Sequence, residues 1–324
     1  MPEIRYYEAV QRALSEEMAR DERVFILGED VGLVGGTFRA TEGLMAEFGA
    51  RRVRDTPIAE AAIIGVAIGA AMTGLRPVAE LMTLNFGIVA MDQIINHACK
   101  ARYMFGGQVN LPMVIRAPAG GGTQKGAQHS HSIESWFVNS PGIRVVLPST
   151  PYDLKGLLKT AIRCEDPVLF IEHEMLYNTK GEVPDEEYLL PFGVADVKRP
   201  GRDVTIVAWS KMVHEALRAA EFLAGEGIEA EVVDPRTLDP LDIDTILASV
   251  MRTRRAVVVE EGWRKVGVGA ELASQIHEAL FFELEAPVQR VGAANVPTPY
   301  ASNLEKLALP DAQRIVDAVL KITL

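Results

Sequence analysis

Asp55-Thr56-Pro57-Ile58-Ala59-Glu60-Ala61-Ala62-Ile63-Ile64-Gly65 runs on through Met72 without a second charged side chain after Glu60. Thr56 and Pro57 have the character of an N-cap and a first helical residue, and the apolar run that follows predicts a helix over 60–73, buried on every side. Glu60 then enters the interior with it. A carboxylate removed from water either finds a donor or raises its pKa and keeps its proton, at ~1.4 kcal/mol for each pH unit. The plainer alternative is a first-turn acid favoured by the helix dipole, worth ~0.3–1 kcal/mol.

Apolar strand-like runs lie on either side of this helix, Val24–Leu27 before it and Arg76–Leu81 after it. Further outward come strands at Pro112–Arg116, Arg144–Leu147 and Val168–Glu172, alternating with helices at Ile4–Arg20, Met91–Met104 and Pro151–Arg163. Such alternation predicts an α/β layer fold with a mostly parallel sheet flanked by helices. The pattern dissolves over the acidic, Pro- and Gly-bearing stretch Lys180–Arg202 and then resumes. Strands at Val204–Trp209, Ala230–Val233, Ala256–Glu260 and Val288–Val291 alternate there with helices at Val213–Ala224 and Gly269–Leu280. Two α/β domains are expected, residues 1–186 and 203–324, with a linker at 187–202. No solenoid repeat or low-complexity tract occurs.

Composition bounds the function. The chain is 48% hydrophobic and 24% charged, close to the globular average, and no uncharged run approaches the ~18–20 apolar residues of a membrane span. The first residues, Met1-Pro2-Glu3-Ile4-Arg5, lack the basic flank and apolar stretch of a secretory signal, so a cytoplasmic protein is expected. A formal net charge of −11 argues against general nucleic-acid binding and suits a basic protein partner. Cys99 and Cys164, the only cysteines, are too few for a disulfide framework or a thiolate metal cage.

The loop after the third predicted strand reads Gly120-Gly121-Gly122-Thr123-Gln124-Lys125-Gly126-Ala127-Gln128-His129-Ser130-His131-Ser132. Loops at the carboxyl ends of parallel strands are where α/β folds place their sites. Gly121 and Gly126 have P-loop spacing but are followed by Ala127-Gln128 where Lys-Ser or Lys-Thr is needed, so a phosphate cradle is not expected. His129 and His131 lack the companions of a metal site. An imidazole on a Gly-rich loop suits acid-base work or the holding of a substrate anion, or is simply solvated. Phe86, just past the second strand, is either core or a stacking surface for a planar ring.

Taken together, Gly28-Glu29-Asp30-Val31, Asp55-Thr56-Pro57-Ile58 with Glu60, Gly74-Leu75-Arg76-Pro77 with Glu80, Met91-Asp92-Gln93, Gln128-His129-Ser130 and Asp234-Pro235-Arg236-Thr237-Leu238 resemble the beta subunit of a two-subunit 2-oxo acid dehydrogenase. This is the thiamine diphosphate-dependent decarboxylating component. Tyr103-Met104-Phe105-Gly106-Gly107 leans toward the pyruvate and acetoin dehydrogenase types.

The resemblance implies a pyrimidine-binding domain followed by a transketolase C-terminal-like domain. It implies that thiamine diphosphate is shared with an alpha subunit that holds the diphosphate and Mg2+, which accounts for the missing Gly-Asp-Gly. Two alpha and two beta chains are expected, together with a lipoyl acyltransferase core component and a small 2-oxo acid substrate. By position, Glu60 meets the pyrimidine ring nitrogen, Phe86 stacks on that ring, Glu29 and Ile58 complete the cofactor contact, and His129 serves catalysis on the substrate side. Relatives have Gln in place of Val89 and Gln or Asp in place of His131. A potassium ion is implied near Ala161, Cys164 and Asp166, although Cys164 replaces the usual Asp and Asp166 the usual Asn. Glu283 and Glu285 are candidates for docking a basic subunit-binding domain. The competing readings are an acetoin or branched-chain 2-oxo acid enzyme, half of a split transketolase, and a catalytically silent assembly subunit.

Overall fold

Runs of five or six buried residues with few charges build both sheets, as strands covered on two faces require. The computed structural model describes residues 1–323, which divide into two units. One comprises Met1–Ala119 with Trp136–Phe192, the other Gly120–Ser135 with the chain from Gly193 onward.

In chain order the first part contains β1 (Glu3–Arg5), α1 (Tyr6–Arg20), β2 (Val24–Gly28), α2 (Leu44–Phe48), β3 (Val53–Asp55), α3 (Glu60–Met72) and β4 (Arg76–Glu80). There follow α4 (Ala101–Met104), β5 (Val114–Ala119), α5 (Glu134–Val138), β6 (Arg144–Val146), α6 (Pro151–Arg163), β7 (Val168–His173) and β8 (Lys180–Glu182). Six strands pair in parallel in the order β6-β7-β5-β4-β2-β3. Val24, Ile26, Val78, Val114, Val168 and Phe170 share one core with α1 and α6, so the alternate residues face the other side, toward α3. Helix α6 starts where Thr150 accepts the Asp153 N–H (3.1 Å) with Pro151 at the first position.

At the sheet centre Arg116 is fully buried. It donates to Glu80 (2.5 Å) and to both oxygens of Glu172 (2.6 and 2.7 Å), which also accepts the Tyr177 hydroxyl. Burial raises the Glu80 pKa even with the guanidinium beside it.

The second part contains β9 (Asp196–Arg199), β10 (Val204–Ala208), α7 (Lys211–Gly225), β11 (Ala230–Asp234), β12 (Thr237–Asp239), α8 (Ile243–Thr253) and β13 (Ala256–Trp263). It closes with α9 (Val268–Leu280), β14 (Gln289–Ala293), α10 (Ser302–Ala308) and α11 (Ala312–Thr323). Its sheet runs β14-β13-β10-β11-β9, parallel except for β9, which pairs antiparallel with β11. Helices α7 and α11 share a core with Val204, Ile206 and Ala208. On the opposite face Thr205 bonds Ser249 and Thr253 of α8 (2.7 Å each).

Three expectations change. Helix α3 opens at Glu60 as expected, but its N-cap is Ala59 rather than Thr56, because the Thr56 N–H is held by the Gly28 carbonyl (2.9 Å), which keeps 56–59 out of the helix. It is not buried all round: Ile63, Ile64, Ala67 and Ile68 are covered, whereas Ala61, Ala62, Val66, Gly69 and Met72 are exposed in this chain. The helix expected at Met91–Met104 is broken by a π-helical turn at Gln93–Ala98, where the Cys99 N–H reaches the Ile94 carbonyl. A Cβ on Gly142 would lie 2.0 Å from the Cys99 carbonyl, so the neighbouring backbone presses directly on this break.

Candidate active site

Parallel strands bring their carboxyl ends to one edge, and β2, β3 and β4 each deliver a candidate residue there. Glu29 follows β2 directly, Glu60 opens the helix after β3, and Phe86 lies in the 3₁₀ turn Leu84–Ile88 after β4. The first two loops are tied together. The Asp55 carboxylate accepts the N–H groups of Gly32 (2.6 Å) and Leu33 (3.1 Å), which fixes the chain just after Glu29. Gly28 permits the close approach, since a Cβ there would lie 2.8 Å from the Glu80 carbonyl.

Glu60 is 8% exposed, as the sequence predicts, and no side-chain hydrogen bond ties it to the other described residues. Glu29 is half-buried, and its pKa is raised first by burial and then by the charges of Asp30 and Glu60. Glu29 therefore feels the Glu60 charge at the start of α3, and repulsion between the two carboxylates adds to the effect of burial on Glu29. The Thr56 hydroxyl beside them is buried and has no hydrogen-bond partner among the described residues. These groups fit the polar edge of an aminopyrimidine: a carboxyl able to hold a proton opposite a ring nitrogen, and a half-buried aromatic face at Phe86. Ile58 is exposed in this chain.

His129 belongs to the second unit, in the segment Gly120–Ser135. It is half-buried, and its N–H bonds the Gly126 carbonyl (3.3 Å). His131 packs against Trp263 at 5.5 Å, and burial depresses its pKa, with His129 pushing the same way. Nothing in the sequence singled out the acids around this loop. The Gly121 N–H (2.8 Å) and the Ser132 hydroxyl (2.9 Å) donate to Glu261, while Gly122 (3.0 Å) and Gln124 (3.2 Å) donate to Glu305. Nearby, Glu134 accepts from the Trp209 indole N–H (3.1 Å), and burial pushes its pKa up to about 7. The glycines advertise free amides, but an acid supplied by residues 261 or 305 has no local signature.

The segment considered for potassium is held by arginines. Arg76 donates to the carbonyls of Ile162 (2.9 Å) and Cys164 (2.8 Å), the Ala161 carbonyl accepts the Cys164 N–H, and Asp166 pairs with Arg102 (2.7 Å) and Arg144 (3.2 Å). Guanidinium groups already meet the demand for positive charge there, so these residues do not favour a bound cation. Among the described residues no group of three or more His, Cys, Asp or Glu is arranged around a metal. Glu285 is paired with Arg255 (2.6 Å), and Glu283 lies 4.0 Å from Arg254, beside the exposed rings of Phe281 and Phe282. No helix among the described residues is long and apolar enough to cross a membrane.

Residues 2–180 match the transketolase pyrimidine-binding domain and residues 193–315 the transketolase C-terminal domain. The chain is 49% identical to the mitochondrial pyruvate dehydrogenase E1 component subunit beta of Drosophila melanogaster, over 97% of this chain and 88% of that one. It is 47% identical to the pyruvate dehydrogenase E1 component subunit beta of Porphyra purpurea, over 99% and 97%. It is 48% identical to the 2-oxoisovalerate dehydrogenase subunit beta of Bacillus subtilis, over 97% of each. Among solved structures, a split-gene transketolase described as an inactive beta4 tetramer matches with a TM-score of 0.79 and 29% identity, over 99% of this chain and 98% of that one.

Proposed function

This chain belongs to the family of 2-oxo acid dehydrogenase E1 beta subunits, and we propose that it completes, with an alpha subunit, a thiamine diphosphate-dependent enzyme that decarboxylates pyruvate and passes the acyl group to a lipoyl arm. The observation that carries this is Glu60, a buried carboxylate at the first residue of α3 with no hydrogen-bond donor from the described chain and with Glu29 close enough to feel its charge.

Thiamine diphosphate, when bound, supplies the ring that accepts the electron pair released as carbon dioxide leaves. The residues of this chain supply control of protons and position. Glu60 meets the pyrimidine ring nitrogen and assists proton movement there, while burial and the charges of Asp30 and Glu60 raise the pKa of Glu29 beside it. Phe86 offers its ring face to the pyrimidine, and Ile58 an apolar contact. His129 faces the substrate carboxylate and assists acyl transfer. The diphosphate and Mg2+ fall to the alpha subunit.

Exposed apolar residues support a partner. Leu33, Val34, Val66, Val89, Tyr103 and Met104 are all exposed in the single chain, as is the small-residue face of α3. We infer an assembly of two alpha and two beta chains, docked on a lipoyl acyltransferase core. Identities of 47–49% to pyruvate-type relatives and 48% to a 2-oxoisovalerate-type relative do not choose the 2-oxo acid. A branched-chain substrate is therefore the second reading, and acetoin the third. In the assembled enzyme Glu60→Gln should leave assembly intact and lower decarboxylation by ~10²–10⁴. Near-normal turnover by that variant would overturn the assignment.

A further inference from the structure

The Gly-rich run 120–126 has the backbone of an anion nest. Gly120, Gly122, Gln124 and Gly126 all take positive φ (96°, 103°, 58° and 77°), which turns amides inward where a phosphate loop would grip its ligand. Three amides of the run, those of Gly121, Gly122 and Gln124, are already engaged by carboxylates of the same unit. Glu305 of α10, 2% exposed, takes the N–H groups of Gly122 and Gln124. Glu261 of β13, 6% exposed, takes the Gly121 N–H and, eleven residues further along the chain, the Ser132 hydroxyl. The fit is close on the apolar side too: a Cβ on Gly121 would lie 2.8 Å from Leu309, and one on Gly126 would lie 3.3 Å from Tyr300.

We propose that Glu305 and Glu261 are positioning residues for His129: they clamp the crown and the two ends of its loop, so the reaction step served by His129 depends on two acids remote in sequence. The inference rests on the functional reading of His129. It explains why the loop is rich in glycine without binding phosphate. Glycine supplies three of the four left-handed turns at low cost and Gln124 the fourth, and the anion those turns present their amides to is built in. Glu305→Gln keeps the shape and removes the charge, which weakens two charge-assisted bonds.

The test uses the assembled enzyme with thiamine diphosphate, Mg2+ and a free lipoyl domain as acceptor. Rates of lipoyl acylation are measured for wild type, Glu305→Gln, His129→Ala and the double variant, alongside amide hydrogen exchange over 120–132. Glu305→Gln should accelerate exchange in that loop and lower acylation by roughly tenfold. In the His129→Ala background the same change should cost nothing further, because the clamp acts through His129. Independent, multiplying losses would overturn the proposal, as would unchanged loop exchange. If His129→Ala retains full activity, the functional reading of His129 falls and this inference with it, whereas loop exchange still reports on the clamp separately. Ser132→Ala, which removes one donor from Glu261 near the surface, repeats the test should Glu305→Gln fail to fold; it should also speed loop exchange and slow acylation, and wild-type values would refute the clamp.

Discussion

Glu134→Gln should make the protein more stable in mild base while leaving it unchanged in acid. Glu134 is buried, accepts the Trp209 indole N–H at 3.1 Å, and has its pKa pushed from 4.5 to about 7, chiefly by burial, with Glu260 and Glu261 adding to it. A carboxyl whose folded pKa lies above its unfolded value contributes stability that is fully present below pH 4.5 and is lost as pH rises through 7. At ~1.4 kcal/mol per pH unit between the two values, the loss amounts to roughly 3 kcal/mol. Glutamine resembles the protonated acid, keeps a carbonyl for the indole N–H, and cannot ionise. The denaturant midpoint, followed by tryptophan fluorescence from pH 4.5 to 8, should coincide for the two proteins at the acid end. At pH 8 the variant should be more stable by roughly 3 kcal/mol. Parallel pH profiles for variant and wild type would refute the reasoning.

Three other perturbations probe different links. Gly65→Leu adds a side chain whose Cβ meets only Gln93 at 3.8 Å and gains helix propensity of ~0.5–1 kcal/mol, so the chain should fold; co-purification with the alpha subunit should fail, and normal assembly would count against α3 as an interface. Arg116→Met strips Glu80 and Glu172 of their counter-ion in a fully buried network; denaturation should show a loss of ~3–5 kcal/mol, and a change below ~1 kcal/mol would contradict the role given to that network. Gly28→Ala places a Cβ 2.8 Å from the Glu80 carbonyl and displaces Glu29; cofactor-dependent activity should drop with the circular dichroism spectrum unchanged, and full activity would remove Glu29 from the site.

The central strands and helices α1, α3, α6, α7 and α9 were legible because burial on both faces leaves uninterrupted apolar runs such as Val24–Leu27, and because Pro151 marks the start of α6, whereas α8 and α11 were not read from the sequence. The cap of α3 was not legible. The hydrogen bond from Thr56 to Gly28 is a tertiary contact, and it overrides the local preference for a cap at Thr56. The exposed face of α3 was missed for a different reason: an apolar, small-residue helix reads as fully buried whether its cover is its own chain or another. The burial of Glu60 was legible from its place at the head of an apolar run, whereas Glu29 entered only through the resemblance carried by Gly28-Glu29-Asp30-Val31. Glu261 and Glu305 were invisible because a carboxylate that accepts backbone N–H groups from 140 to 183 residues away leaves no periodicity and no motif. Strands β8 and β9 escaped notice because three- and four-residue edge strands carry too little pattern.

The most direct test of the account is decarboxylation of pyruvate and 2-oxoisovalerate, and carbon–carbon cleavage of acetoin, dependent on thiamine diphosphate and magnesium, by this chain alone and co-expressed with an alpha subunit. Activity is expected only in the co-expressed assembly, highest with pyruvate and lowered ~10²–10⁴-fold by Glu60→Gln. Turnover by the isolated chain, or an active assembly indifferent to Glu60, would contradict it.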